Sequence, residues 1–121
     1  MLPPEQRLKE NRDFRLIYSK GRSFANPFAV MHHLQRRGDS ILVAPGRRIG
    51  FVVSKKQGKA VVRNRIKRRL REAVRLNLSR LKEGTYDLVF VGRTAAKEAV
   101  WQEVEDSVIQ LFQKAGLLKT E

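Results

Sequence analysis

The chain has 121 residues, with 26 Lys or Arg against 12 Asp or Glu, a net charge of +14 and no cysteine. At 41% hydrophobic residues it can build one compact core, which excludes a disordered polybasic tail, and the missing cysteine excludes disulfides and thiolate metal sites. The first residues lack the apolar stretch of a secretion signal, and no run approaches the roughly 18 apolar residues of a membrane span. The expectation is therefore one cytoplasmic domain over residues 1–121, with no membrane role and with a field that selects nucleic acid.

In chain order, residues 1–10 are polar, contain Pro3 and Pro4, and read as an extended, partly ordered arm. Asn11 is placed to cap a helix through Lys20, with Asp13 in its first turn, Gly21 just past its end, and Phe14, Ile17 and Tyr18 on one face. Residues 24–34 alternate as a strand, with Pro27 confining that end to an edge or a strand start. Alternation sends His32 and His33 to opposite faces, so they do not form a shared metal site. Residues 36–47 form an irregular connection in which residues 41–44 could extend a hairpin.

Residues 49–54 are a short apolar strand. A turn at 55–58 leads into a long helix over about 59–81, whose N-terminus offers unpaired N–H groups to an anion. Residues 85–91 form a third strand with Tyr86, Leu88 and Phe90 on one face. A last helix spans 95–114, with Trp101, Val104, Val108, Leu111 and Phe112 as its core stripe and Gly116 as its stop. The order is α-β-β-α-β-α, an α+β sandwich with helices against a small sheet.

Between residues 55 and 75 stand ten Lys or Arg and one acid, Glu72. At about 100° per residue, Ile66, Leu70, Ala73 and Val74 gather with Val62 on a stripe of ordinary core width. Asn64, Arg65, Arg68, Arg71 and Arg75 form the opposite face. Lys67 and Arg69 flank the stripe and Arg63 projects at its edge. Like charges at Arg65–Arg68, Arg65–Arg69, Lys67–Arg71, Arg68–Arg71 and Arg71–Arg75 each cost an isolated helix a few tenths of a kcal/mol. A helix built only for solubility would mix signs. Arginine's planar fork suits phosphates and stacked bases, and Asn64 can both donate and accept. No nucleophile–base set, phosphate-cradling glycine loop or zinc spacing occurs, and Asp13, Glu72 and Asp87 are scattered, so the chain alone reads as non-catalytic.

The run Ile49-Gly50-Phe51-Val52-Val53-Ser54-Lys55-Lys56, then Gly58-Lys59-Ala60-Val61-Val62-Arg63-Asn64-Arg65-Ile66-Lys67-Arg68, resembles the bacterial ribonuclease P protein subunit. Asp13-Phe14 before Tyr18, and Gly21 with Phe24-Ala25-Asn26, extend the resemblance across most of the chain. It implies an α+β fold with an unusual left-handed β-α-β crossover, where the general rule would favour the right-handed one. It also implies a role as protein partner, one per RNA, of a catalytic RNA that cleaves the 5′ leader from precursor tRNA, using Mg²⁺ held mainly by that RNA. By position, Phe14, Tyr18, His32 and Lys55 would contact the leader, while Arg63, Asn64, Arg65, Lys67, Arg68 and Arg71 would face the catalytic RNA. The chain departs from the pattern at His32, where relatives often carry an aromatic such as Tyr. No role carries over to 36–47, where length varies in the family. The alternatives are a structural RNA-binding protein of the ribosome-associated kind, which would give no gain in tRNA processing, and a nonspecific DNA binder, which would prefer duplex DNA to structured RNA.

Overall fold

The computed structural model describes residues 7–8, 11–36 and 46–119. Among them the elements are α1 (Asn11–Lys20), β1 (Arg22–Ala25), β2 (Ala29–Gln35), β3 (Arg48–Val52), α2 (Ala60–Leu76), β4 (Tyr86–Gly92) and α3 (Trp101–Lys114). Short 3₁₀ turns occupy Lys55–Gln57, Leu78–Arg80 and Thr94–Ala96. The strands form one mixed sheet in the order β1-β2-β4-β3. β2 pairs antiparallel with β1 and β4, and β3 lies parallel to β4 with α2 as the connection. The α+β architecture expected from the sequence is the one found.

One expected strand is two. Residues 24–34 break at Asn26, whose Oδ1 accepts from the N–H groups of Phe28 (3.0 Å) and Ala29 (3.1 Å), while its own N–H donates to Ala29 O. An Asn side chain that substitutes for backbone partners makes a tight turn, and Pro27 sits inside it. Apolar alternation continues through that turn and hides it.

Two helix boundaries also differ. α2 ends at Leu76 rather than near residue 81, because Asn77 leaves helical geometry and its Nδ2 donates to Ala73 O (2.8 Å) and Glu105 Oε2 (3.0 Å). α3 begins at Trp101 rather than residue 95, with the Thr94–Ala96 turn before it. Its end is as expected. Gly116 (φ 72°) donates to Gln113 O and Leu117 to Phe112 O, a Schellman stop.

The main core lies between the sheet and the α2/α3 layer. Met31, Ile66, Leu70, Leu88, Phe90, Val104, Val108, Leu111 and Phe112 are all fully buried there. Each such side chain contributes on the order of 1.5–3 kcal/mol. Close approach of α2 requires glycine at 92, since a Cβ there would stand 2.6 Å from Ile66 Cγ2. On the other face a smaller cluster of Leu8, Ile17 and Val89 lies under α1. Leu8 comes from the N-terminal arm: its N–H donates to Ile49 O, and Arg7 bridges to Ile49 in parallel. The rest of that arm, residues 1–6 and 9–10, and the hairpin expected at 41–44 lie outside the described residues.

Candidate nucleic-acid interface

Strand register arranges the α1 face of the sheet in three rows. Leu34, Asp87 and Arg48 are partners in the first, His32, Val89 and Gly50 in the second, and Val30, Val91 and Val52 in the third. α1 crosses this face diagonally. Its Asp13 meets Arg48, the Phe14 ring lies where a Cβ on Gly50 would come within 2.9 Å, and Tyr18 meets His32. These contacts fall on the first two rows, and Val30, Val91 and Val52 of the third remain half-buried. The result is a groove with an aliphatic floor and an aromatic wall.

The wall holds three of the residues singled out in the sequence. Phe14 is half-buried against the α1 cluster and serves packing as well as the groove. Tyr18 keeps 44% of its surface exposed, and its ring meets His32 edge-on with centroids 4.8 Å apart. Burial pushes His32 below its ordinary 6.5, so a neutral ring faces Tyr18 at pH 7. His33 lies on the opposite face against Tyr86. Lys55 is exposed just past the end of β3, beyond the third row rather than beside Tyr18. Its turn is fixed by Gln57 Oε1, which accepts from the N–H and hydroxyl of Thr94. Arg93, exposed just past β4, stands at the same end, with one guanidinium N–H on Asn26 O. Arg93 and the valine floor escape sequence reasoning, because only the register of three strands brings them together.

Below the groove, Asp13 and Asp87 are not the scattered acids the sequence suggested. Arg48 joins them, bonding Asp87 through Nε and one terminal nitrogen (both 2.9 Å) and Asp13 through the other (3.3 Å). Arg36 Nε adds a 2.8 Å contact to the buried Asp87. This network ties α1, β3, β4 and the end of β2 together and sets the angle at which α1 lies. Asp87 raises the pKa of Arg48 further above its ordinary range, chiefly through the shared hydrogen bonds.

The angular division of α2 is mostly as expected: Ile66, Leu70, Ala73 and Val74 are buried, and Asn64, Arg65, Arg68 and Arg75 are exposed, but Arg71, expected on the exposed face, is half-buried because it leans over the Phe51 ring. The cations nevertheless have unequal duties. Arg69 donates to Ala96 O, Lys97 O and Ala99 O, and Arg65 Nε to Lys97 O. These carbonyls, as well as Glu72, relieve the like-charge repulsion along the helix. Arg75 is taken by Glu72 (Nε–Oε2 3.0 Å). Arg63, Lys67 and Arg71 follow one another at four-residue spacing along the flank toward β3, all half-buried. Arg71 places its guanidinium 5.6 Å from the Phe51 ring centroid, and Arg63 Nε is buried with no hydrogen-bond partner among the described residues. Asn64 and Arg68 point into solvent. A ridge of fixed cations beside a groove lined by rings and aliphatic groups can grip a phosphate chain and stack its bases.

The chain matches the ribonuclease P family model over residues 2–116. It is 43% identical over 114 residues to the ribonuclease P protein component of Clostridium acetobutylicum, covering 94% of this chain and 92% of that one. With the same component of Symbiobacterium thermophilum it is 45% identical, covering 95% of each. Among solved structures it resembles the RNase P protein of Staphylococcus aureus (TM-score 0.78, 32% identity, 94% of this chain and 98% of that one). It also resembles the RNase P protein of Thermotoga maritima (TM-score 0.74, 30% identity, 89% and 96%). Family model, sequence relatives and fold agree, and the chain belongs to the ribonuclease P protein family.

Proposed function

We propose that this chain is the RNA-binding protein subunit of ribonuclease P, acting with one catalytic RNA to remove the 5′ leader from precursor tRNA. The observation that carries this reading is the junction of two surfaces in a chain of this family: the cationic ridge of α2 and the half-covered groove under α1. In this reading α2 grips the catalytic RNA through Arg63, Asn64, Arg65, Lys67, Arg68 and Arg71. The leader lies in the groove on Val30, Val52 and Val91. Phe14, Tyr18 and His32 offer rings to its bases, and Lys55 and Arg93 offer charge to its phosphates. Stacking tolerates any base, which suits leaders of variable sequence.

The chemistry belongs to the RNA. Among the described residues no three His, Asp or Glu side chains converge as a cation cage, and Asp13 and Asp87 are both engaged by Arg48. Mg²⁺ in this reading sits on RNA oxygens, and the protein aids it by screening phosphate repulsion so that the RNA and substrate close around it. Reconstitution tests the proposal. Adding the protein to ribonuclease P RNA at low Mg²⁺ and moderate salt speeds precursor-tRNA cleavage, and an unchanged rate rejects it.

A further inference from the structure

The turn at Asn26 and the middle of α3 enclose a cleft of about 340 Å³, lined by Pro27, Phe28, Glu103, Asp106, Ser107 and Gln110. Its frame is fixed. The buried Asn26 donates through Nδ2 to Ser107 O (2.9 Å) and to Gln110 Oε1 (3.1 Å), tying the turn to the helix. Around α3, at about 100° per residue, Glu103, Asp106, Ser107 and Gln110 stand roughly 100–160° from Glu105, which meets α2 at Asn77. The cleft therefore opens on the flank of α3 turned away from the cationic ridge.

In a chain of net charge +14, the acids of this flank are unspent. Among the described residues the Glu103 carboxylate has no hydrogen bond or ion pair, and Asp106 accepts only from the neutral amide of Gln102 (2.8 Å). The two cations that reach the turn are held on its carbonyls: Lys114 Nζ donates to Ala25 O (2.8 Å) and Arg93 to Asn26 O (3.0 Å). Ser107 is only 6% exposed, and its hydroxyl hydrogen goes to Val104 O (2.7 Å), so its oxygen can offer only an acceptor to the cleft. The remaining wall is the half-buried Phe28 ring beside Pro27.

Two carboxylates and a buried acceptor beside an aromatic ring repel phosphate and suit a planar cation. A guanidinium pairs bidentately with a carboxylate and lies flat on a ring, which an ammonium does less well. The cleft is also open, with Glu103, Asp106 and Gln110 all exposed, whereas sites for free small molecules enclose most of the ligand. That openness suits a side chain delivered from another surface. We propose that this cleft docks an arginine side chain of a basic partner protein, on a flank that leaves α2 uncovered. The site is separate from the RNA-binding surfaces proposed above and does not depend on them.

Titration of isotope-labelled full-length protein with N-acetyl-arginine amide at fixed ionic strength, followed by amide shifts, tests this. Saturable shifts appear at residues 26–28 and 103–110, and the neutral citrulline analogue produces none. The arginine probe binds about 2- to 5-fold tighter than N-acetyl-lysine amide. Glu103→Gln combined with Asp106→Asn weakens arginine binding by about tenfold and leaves the melting curve in place, since both side chains are exposed. Glu83→Gln, outside the cleft, has no such effect. Phe28→Leu keeps the apolar packing and erases the preference for arginine over lysine. Shifts that do not saturate, equal binding of the citrulline analogue, or unchanged affinity in the double variant overturns the site. Tighter binding of spermidine than of the arginine probe would overturn a protein side chain as the occupant, in favour of a free organic cation.

Discussion

On the α2/α3 face of the sheet, Met31, Leu88 and Phe90 are wholly buried, whereas on the α1 face Val30, Val52 and Val91 are half-covered. Some of these residues are neighbours in one strand, and all are apolar. The difference lies in what covers them. Two helices of 17 and 14 residues close one face, and a ten-residue helix pinned diagonally by Asp13–Arg48–Asp87 leaves a row of the other half-covered, with Val52 and Val91 at the rim of the cluster under α1. An apolar strand position is thus closed core or half-covered surface according to the length and tilt of the helix above it. A similar division runs along α2, where Arg69 is spent on backbone carbonyls and Arg68 is left to solvent.

The comparison can be broken first at its strongest point. Phe90→Ala on the closed face lowers stability by about 3–5 kcal/mol in urea denaturation, while Val91→Ala on the open face costs about 1 kcal/mol. Equal losses would erase the distinction between the faces. Next, Arg69→Ala destabilises the fold by roughly 1.5–3 kcal/mol, because it withdraws a charged donor from three carbonyls. Arg68→Ala leaves the melting curve in place and instead reduces the salt dependence of RNA binding by about one ion.

The smallest effect is on pH. Burial depresses His32, and burial together with Arg22 depresses His33 against a weaker opposing pull from Asp87. Protons therefore bind the unfolded chain more readily. Stability is full above the ordinary 6.5 and falls as pH drops below it, until the folded-state values are passed. Melting at stepped pH checks this, and His33→Gln flattens the profile.

Much of this arrangement can be read from the chain, and what escapes has a common cause. The end of α1 at Gly21, whose N–H bonds Ile17 O, and the buried stripe of α2 follow from a glycine stop and from 3.6-residue spacing, which are local. The Asn26 turn and the end of α2 at Asn77 escape because single side chains replace backbone partners there without disturbing the hydrophobic pattern. Trp101 reads as core from its spacing with Val104, Val108 and Leu111, yet at the first position of α3 it stays 36% exposed. The Arg48 network and the valine floor depend on elements brought together from distant parts of the chain, and spacing along one segment cannot show them. The basic residues of α2 stand out as a group, yet only the fold separates those that hold the loop before α3 from those left to solvent.

In the proposed function the half-covered α1 face receives the substrate leader, and Tyr18 is the residue whose loss reports this with least effect on the core. The measurement is affinity of the reconstituted ribonuclease P complex for precursor tRNA with and without its leader, for wild type and Tyr18→Ala. The account predicts a loss of about 5- to 100-fold for the leader-bearing substrate alone, with the fold intact. Equal loss for both substrates, or a stability loss as large as that of Phe90→Ala, would contradict it.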